Sequence, residues 1–201
     1  MKQTLEESTS IPEYFPEQLL DSASQLHVTS GTTLFHFGER PHWMFCVLSG
    51  EVRLVRRAHD GVEVVLQRSR GRFFAEASLC AKSYHCDGVI AKSGAVLRFP
   101  IKAFHTALQK DLHFNDAWIN HLAHETRKLR AQCERLSLHS AADRIIHYIE
   151  SEGVDGILTL TQSRKAWAAE IGLSHESLYR TLSRLQSENV IVVEQQRIAL
   201  K

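Results

Sequence analysis

The sequence predicts an α+β protein with three consecutive parts: an antiparallel β-barrel of jelly-roll type, a long helix and a winged helix-turn-helix. Short apolar runs separated by turn signals over residues 26–100 predict the barrel. Heptad spacing over 111–138 predicts the long helix, and two helical patterns followed by a hairpin pattern predict the last part. The expected boundaries are 1–108 for the barrel, 109–138 for the long helix and 139–201 for the winged helix-turn-helix.

The barrel prediction depends on turn signals between short strands. The apolar runs lie at 33–37, 45–48, 52–55, 62–66, 89–91 and 95–99. Ser49-Gly50 ends the second run, while Asp60-Gly61 and Ser93-Gly94 each separate two runs and predict hairpin turns. Short strands at this spacing are typical of an antiparallel barrel or jelly roll.

A heptad seam runs along the predicted long helix. Its positions alternate in steps of four and three: Asn115, Ile119, Leu122, Thr126, Leu129, Cys133 and Leu136. This spacing predicts a coiled-coil partner, and the favoured arrangement is a parallel homodimer. The alternative is that the seam packs on the chain's own barrel. In the homodimer, Cys133 would face its symmetry mate as an apolar filler rather than a redox switch.

Residues 163–185 predict two helices joined by a glycine turn. Gly172 lies at the sharp turn, and Ser174 can cap the helix that follows. Leu178, Leu182 and Leu185 form an apolar stripe on this second helix. The opposite face carries His175, Glu176, Tyr179, Arg180 and Ser183.

The segment after this helix predicts a wing. Asn189 ends the helix, and 190–193 and 197–200 then form the two strands of a hairpin. In a helix-turn-helix the second helix lies in the major groove of DNA, with its first residues on base edges. We therefore expect DNA contacts from Ser174, His175, Glu176, Tyr179 and Arg180. An αα-hairpin packed within a core is the alternative interpretation.

Charge and composition limit the function classes. The net charge is +1, and residues 139–201 carry seven Lys and Arg against eight Asp and Glu, so DNA binding would need local charge and two copies of the chain. The sequence has no apolar run of about 18 residues and no signal-peptide pattern, so we expect a cytoplasmic protein without a membrane partner. The four cysteines are predicted to be reduced thiols.

Six arginines are concentrated in the predicted barrel: Arg53, Arg56, Arg57, Arg68, Arg70 and Arg72. The simplest interpretation is a solvated face of the barrel. The alternative is a surface that contacts RNA polymerase or DNA.

Taken in order, the three parts resemble the Crp/Fnr family of bacterial transcription regulators over nearly the whole chain. The resemblance is carried by residues 34–38, 47–52 and 71–79 and by the helix-turn-helix. It implies a cyclic nucleotide-binding-like barrel and a homodimer that binds double-stranded promoter DNA, contacts RNA polymerase and is not an enzyme. It does not separate an activator from a repressor.

The family's recognition helix opens with an Arg-Glu pair, and an Arg follows four residues after the Glu. The matching positions here hold His175, Glu176 and Arg180. Glu can accept a hydrogen bond from cytosine N4, and Arg can donate to guanine O6 and N7. His175 departs from the pattern, so the half-site is not fixed by the resemblance.

The effector pocket departs further from the family. Members that bind cyclic nucleotides carry a cassette resembling Gly-Glu-x-Gly-Leu and a later Arg-Ser or Arg-Thr pair. The candidate pocket residues here are Glu76, Ser78, His85 and Cys86, with Ala75 and Ser78 at the two glycine positions and His85-Cys86 at the Arg-Ser position. Because a neutral imidazole cannot replace the guanidinium fork, we do not expect cyclic AMP binding.

Cys80, His85 and Cys86 are candidate ligands for a metal ion or haem iron, which gives the alternative of a metal- or haem-responsive regulator. Their spacing matches no common metal motif. The simpler interpretation makes Cys86 a small buried hydrophobe and His85 a hydrogen-bonded loop residue, with Asp87 able to orient His85. The sequence therefore assigns no cofactor.

Two other function classes explain less of the chain. His36, Glu39 and His42 resemble the ligands of cupin enzymes, but the His-x-His pair is missing and a cupin does not account for the wing. A barrel interaction module without DNA binding is the other class. The presence of Glu176 and Arg180 on the predicted recognition helix argues against it.

Overall fold

The computed structural model describes residues 15–57, 59, 61 and 63–201. By its contacts the chain divides into two units, one ending at Leu122 and one running from Ala123 to Lys201. The predicted α+β class is confirmed, since the first unit contains an antiparallel sheet and the second is mainly helical. No helix in the described part of the chain is both long and apolar enough to cross a membrane.

The first unit is built on a six-stranded antiparallel sheet. Its elements are α1 (Glu17–Asp21), β1 (Ser24–Val28), β2 (Thr33–Phe35), β3 (Trp43–Arg57), β4 (Glu63–Ser69), β5 (Phe73–Phe74), a 3₁₀ turn at Glu76–Ser78, β6 (Asp87–Pro100), α2 (Ile101–Lys110) and the start of α3 (Leu112–Ser137). The main strand order is β1-β6-β3-β4, while β2 pairs with β6 and β5 pairs with β3.

Side chains of β3 and β6 alternate between two hydrophobic cores. Phe45 and Ile90 belong to one, which we call the aromatic core. Met44 and Phe99 belong to the other, the helix-covered core, where Phe104 from α2 also packs. This alternation follows from the two-residue period of a strand. The two longest strands are therefore buried on both faces over much of their length.

The structure contradicts the predicted break at Ser49-Gly50 and the predicted hairpin at Ser93-Gly94. Both dipeptides lie inside continuous strands, β3 and β6, whose register shifts around residues 47–52. A Cβ on Gly94 would lie 2.2 Å from the backbone oxygen of Ser49, and one on Gly50 would lie 2.5 Å from that of Lys92. These glycines thus permit a close backbone approach at a bulge, which gives the same sequence signal as a turn.

The predicted hairpin between the third and fourth runs is confirmed by the pairing of β3 with β4, in which Arg57 lies opposite Glu63. Asp60 and Val62 of that prediction lie outside the described residues. The strand predicted at 33–37 ends earlier, at Phe35. The long helix predicted over 111–138 is α3, Leu112–Ser137.

The second unit contains the end of α3 and a winged helix-turn-helix. Its further elements are α4 (Ala141–Glu152), β7 (Ile157–Thr159), α5 (Arg164–Glu170), α6 (His175–Ser187), β8 (Ile191–Glu194) and β9 (Arg197–Leu200). The predicted wing is confirmed as the antiparallel pair β8–β9. Strand β7, which the sequence analysis missed, completes the sheet in the order β7-β9-β8.

Gly94→Ala should destabilise the protein by about 1–3 kcal/mol, because the new methyl group meets the backbone of β3 rather than a mobile side chain. Chemical denaturation followed by circular dichroism measures the change. Lys92→Ala is the matched control: Lys92 is exposed in the same strand, so its free energy of unfolding should change by no more than about 0.5 kcal/mol. Equal stability of the two variants would contradict the assignment of Gly94 to a close strand contact.

Candidate functional site

Local capping sets the geometry of the helix-turn-helix. The Oγ of Ser163 accepts a hydrogen bond from the backbone N–H of Ala166 at the start of α5. The Oγ of Ser174 accepts one from the N–H of Ser177, 3.1 Å away, at the start of α6. Gly172 between the helices has φ +68°, a conformation that favours glycine. The cap and the turn predicted from the sequence are thus both present.

Helix α6 separates a buried face from an exposed one. Leu178, Leu182 and Leu185 are buried in the core of the second unit. The exposed face carries His175, Glu176, Tyr179, Arg180 and Ser183, and the capping residue Ser174 is exposed beside them. The structure therefore brings together all five predicted DNA-contact residues on one accessible surface. This arrangement presents hydrogen-bond donors, acceptors and an aromatic ring along two turns of helix.

An aromatic and cationic stack forms part of this exposed face. The rings of His175 and Tyr179 meet edge to face, with centroids 4.6 Å apart. The guanidinium carbon of Arg164 lies 5.5 Å from the centroid of the Tyr179 ring. The same guanidinium donates through Nη2 to the carbonyl of Gln195 in the wing turn, at 2.8 Å. Arg164 therefore connects α5, α6 and the wing, a role that its place in the sequence did not reveal.

Arg144 joins the end of α3 to the helix-turn-helix. Its Nε donates to the carbonyl of Leu138 at 2.8 Å and its Nη1 to that of Gly172 at 3.1 Å. Its Nη2 also reaches the carbonyl of Leu136, at 3.4 Å. These acceptors lie at a helix end and a turn, where backbone carbonyls lack intrahelical partners. Arg144 is consequently committed to the scaffold rather than to the exposed face.

A buried polar chain makes a second connection between α3 and the helix-turn-helix. Arg135, almost fully buried, lies with its guanidinium carbon 4.4 Å from the ring centroid of Tyr148 and donates to Ser151 at 2.9 Å. The Tyr148 hydroxyl donates to Glu170 at the end of α5, at 3.2 Å. Burial, with Glu170 and Glu152 nearby, raises the pKa of Tyr148, so its hydroxyl keeps its proton. No periodic pattern in the sequence marks this chain of contacts.

The predicted seam of α3 is largely exposed in the single chain. Ile119 and Leu129 are 56% and 55% exposed, and Leu122 and Leu136 also count among the exposed large apolar side chains. Thr126 and Cys133 are exposed as well. Asn115 differs, because its side chain donates to the carbonyl of Leu108 at 2.9 Å. Within the first unit, Ile119 is therefore not packed on the barrel, and the coiled-coil partner of the whole seam stays a prediction.

The cassette residue Glu76 is engaged by the chain's own side chains. Its Oε1 lies 3.4 Å from Nε2 of His121 on α3 and 3.4 Å from Nε2 of Gln67 on β4. The His121 ring stacks on Trp118, with centroids 5.2 Å apart, and meets Phe73 edge to face at 5.6 Å. Gln67 on the sheet thus donates a hydrogen bond to the carboxylate, while Nε2 of His121 lies close to it without a hydrogen bond.

Ala75 immediately precedes the short 3₁₀ turn of the cassette, and Ser78 is the last residue of that turn. Ala75 is buried with φ +62°, a backbone conformation that favours glycine, although it carries a methyl group here. Ser78 is also buried, and its Oγ has no hydrogen-bond partner among the described residues. The aromatic core occupies the neighbouring space with stacked rings, including Phe35 and Tyr84 at a centroid distance of 3.9 Å.

The structure does not assemble a metal site from Cys80, His85 and Cys86. Cys80 and His85 are exposed, whereas Cys86 is buried in the aromatic core. Burial, together with the charge of Asp87, raises the pKa of the Cys86 thiol to about 11, so the thiol is protonated at neutral pH in the metal-free chain. Within the described ranges, no group of three His, Cys, Asp or Glu side chains could hold a metal ion.

Asp87 has partners other than the one predicted. Its Oδ1 accepts a hydrogen bond from the backbone N–H of Phe37 at 2.7 Å and lies 3.7 Å from Nδ1 of His36. It therefore orders the loop after β2 instead of orienting His85. Glu39, another cupin-like candidate, accepts a hydrogen bond from the backbone N–H of His36 at 3.0 Å.

The interpretation of the barrel arginines as a solvated face is wrong for several of them. Arg68 and Arg70 both donate to the buried carboxylate of Glu51, with Arg68 Nη1 at 2.6 Å. Burial acts to raise the pKa of Glu51, but the hydrogen bonds and charges of the two arginines bring it below its usual value. Arg53 pairs with Glu63 at 3.2 Å. These arginines stabilise the β3–β4 pair.

Comparisons place these features among known proteins. Residues 25–111 match the family model of the cyclic nucleotide-binding domain. A putative cAMP-binding regulatory protein from Silicibacter pomeroyi is 27% identical in a match over 94% of this chain and 88% of that one, with a TM-score of 0.55. No curated protein matches the sequence.

Two further solved structures share the fold at lower identity. FixK2 from Bradyrhizobium japonicum is 19% identical over 89% of this chain and 92% of its own, with a TM-score of 0.67. A mutant of CooA from Carboxydothermus hydrogenoformans is 17% identical over 90% and 85%, with a TM-score of 0.71. The order of sheet, long helix and winged helix-turn-helix is thus shared over most of each chain.

Proposed function

We propose that this chain, whose residues 25–111 match the cyclic nucleotide-binding domain family, is a regulator of the Crp/Fnr type that binds double-stranded promoter DNA as a homodimer. The observation that carries the proposal is the exposed face of α6. There Glu176 and Arg180 stand one helical turn apart, behind the Ser174 cap and opposite a fully buried leucine stripe. Such a helix can enter a major groove with its first two turns against base edges.

The two charged residues of this face suit a G·C pair. Arg180 can donate a forked pair of hydrogen bonds to guanine O6 and N7, and Glu176 can accept one from cytosine N4. Other acidic residues of the second unit are engaged within the protein: Glu170 with Tyr148, and Glu152 with Arg135. The Arg135 guanidinium, which lies outside residues 139–201, offsets the charge of Glu152 and so reduces the acidic charge that opposes DNA binding.

The exposed apolar seam of α3 supports the homodimer. Ile119, Leu122, Leu129 and Leu136 follow heptad spacing and remain accessible in the single chain, and a second copy of α3 would bury them. Two copies present two recognition helices to a two-fold operator and double the charge near the phosphates. RNA polymerase is the proposed further partner, by the resemblance to the family.

The cassette does not suit a cyclic nucleotide. Glu76, which would bind the ribose in the family, already faces His121 and Gln67. No guanidinium stands at the Arg-Ser position, because His85 and Cys86 occupy it, and the Cys86 thiol is buried. A cyclic phosphate bound in this site would therefore have no guanidinium to neutralise its charge. We therefore propose a regulator that does not respond to cyclic AMP.

Arg180→Ala should abolish selection of the guanine in the half-site and weaken binding to the selected operator by about 1–3 kcal/mol. The operator is first selected from a random DNA library with the unchanged protein, and the variant is then measured by fluorescence anisotropy. Arg184→Ala is the charge-matched control, since Arg184 lies one turn further along α6, 3.9 Å from Glu188. An unchanged selected sequence for Arg180→Ala would refute the recognition-helix assignment.

Leu129→Glu should dissociate the dimer, because it places like charges across the seam at its exposed midpoint. Light scattering at micromolar concentration should then report the mass of one chain, and operator binding should weaken in parallel. Arg127→Gln changes the net charge by the same amount two residues away and off the seam, so it should remain dimeric. A dimeric mass for Leu129→Glu would contradict the proposed interface.

Cyclic AMP at millimolar concentration should leave the melting temperature and the operator affinity unchanged. A ligand at 100 times its Kd adds about 2.7 kcal/mol to the stability of the protein that binds it, a shift that differential scanning fluorimetry readily detects. A clear upward shift would show that the cassette accepts the nucleotide despite Ala75, Ser78 and the engaged Glu76.

A further inference from the structure

We propose that Tyr179 determines specificity at the DNA interface by contacting the 5-methyl group of a thymine, and that Arg164 is the residue that positions its ring. This inference rests on the proposed function and names a base contact that the retained Glu176 and Arg180 do not supply. It comes from the stack on the exposed face of α6.

The Tyr179 ring is exposed but held. It is 44% exposed, so a large part of its surface can meet a partner. The His175 ring meets it edge to face at 4.6 Å from the preceding turn, and the Arg164 guanidinium lies 5.5 Å from its centroid, from α5. Two neighbours on different helices thus restrict the ring before any DNA is present.

Arg164 is itself fixed by a second contact. Its Nη2 donates to the Gln195 carbonyl in the wing turn at 2.8 Å. A planar guanidinium can keep this hydrogen bond while it faces an aromatic ring, which an ammonium group cannot do in the same geometry. Arg164 therefore acts on recognition through Tyr179 and the wing. Preorganisation of this kind lowers the entropic cost of ordering a side chain at an interface.

The chemistry of the ring selects the base feature. Thymine presents a methyl group in the major groove, and apolar side-chain surface is what recognises it. Tyr179 immediately precedes Arg180 and lies one turn after His175, so it belongs to the same part of α6 as the proposed guanine contact. We therefore place the thymine beside the base pair read by Arg180.

Replacement of thymine by deoxyuridine tests this directly, because it removes the methyl group alone. In the operator selected by the unchanged protein, each thymine is replaced in turn and the Kd is measured. The unchanged protein should lose about fourfold in affinity at one thymine next to the guanine, the effect of one buried methyl group. Tyr179→Ala should bind the thymine operator and the operator with deoxyuridine at that position with equal affinity.

Two conservative variants test the two parts of the proposal. One distinguishes the effect of the Tyr179 ring from that of its hydroxyl, and the other distinguishes the positioning by Arg164 from its positive charge. Tyr179→Phe keeps the ring and should keep the fourfold ratio. Arg164→Lys keeps the positive charge, and with it the salt dependence of binding, but should reduce the ratio because the planar contact is lost. A variant that only impaired folding would weaken binding to the thymine and deoxyuridine operators equally, and would leave the ratio of their Kd values unchanged.

The outcomes distinguish this inference from the proposed function. If the unchanged protein selects no DNA sequence, the proposed function fails. If it selects an operator but no thymine shows the methyl effect, or if Tyr179→Ala keeps the fourfold ratio, the thymine contact is refuted while DNA binding stands. An unchanged ratio in Arg164→Lys would refute the positioning role alone.

Discussion

The guanidinium of Arg144 satisfies backbone carbonyls at two places that the exposed face of α6 depends on. It donates to Leu138 and Leu136 at the end of α3 and to Gly172 in the turn before α6. Helix ends and tight turns leave such acceptors without intrahelical partners, and a planar cation with several fixed donors suits them well. The direction in which α6 leaves its turn is therefore tied to the end of the long helix.

The buried chain from Arg135 through Tyr148 to Glu170 makes a second, parallel tie between α3 and α5. Because both ties begin on the last turns of α3, a partner that fixes α3 would also constrain the helix-turn-helix. Under the proposed function, pairing of the apolar seam and presentation of the recognition face are thus coupled mechanically. Leu136, the last residue of the seam, packs close to the turn before α6. Its Cδ2 would lie only 3.1 Å from a Cβ placed on Gly172.

Residues 25–111 of the first unit match the cyclic nucleotide-binding domain family, and side chains of the same unit contact its cassette. Glu76 faces His121 and Gln67, and stacked rings such as Phe35 and Tyr84 fill the neighbouring core. A fold and the chemistry of its site can change separately. The sheet depends on side chains that alternate between the two faces of each strand, whereas ligand binding depends on a few specific side chains. The contact between Glu76 and His121 brings the cassette next to the long helix α3.

The sequence by itself determined the features that rest on local physics. The Ser174 cap, the Gly172 turn and the leucine stripe of α6 follow from hydrogen bonding and a 3.6-residue period within one short segment. Only the tertiary structure decided that Gly50 and Gly94 are places of close strand approach rather than a strand end and a hairpin turn. It also decided that two arginines surround Glu51. Both depend on the register between distant strands, and a glycine or an arginine carries the same local signal whatever strand lies opposite.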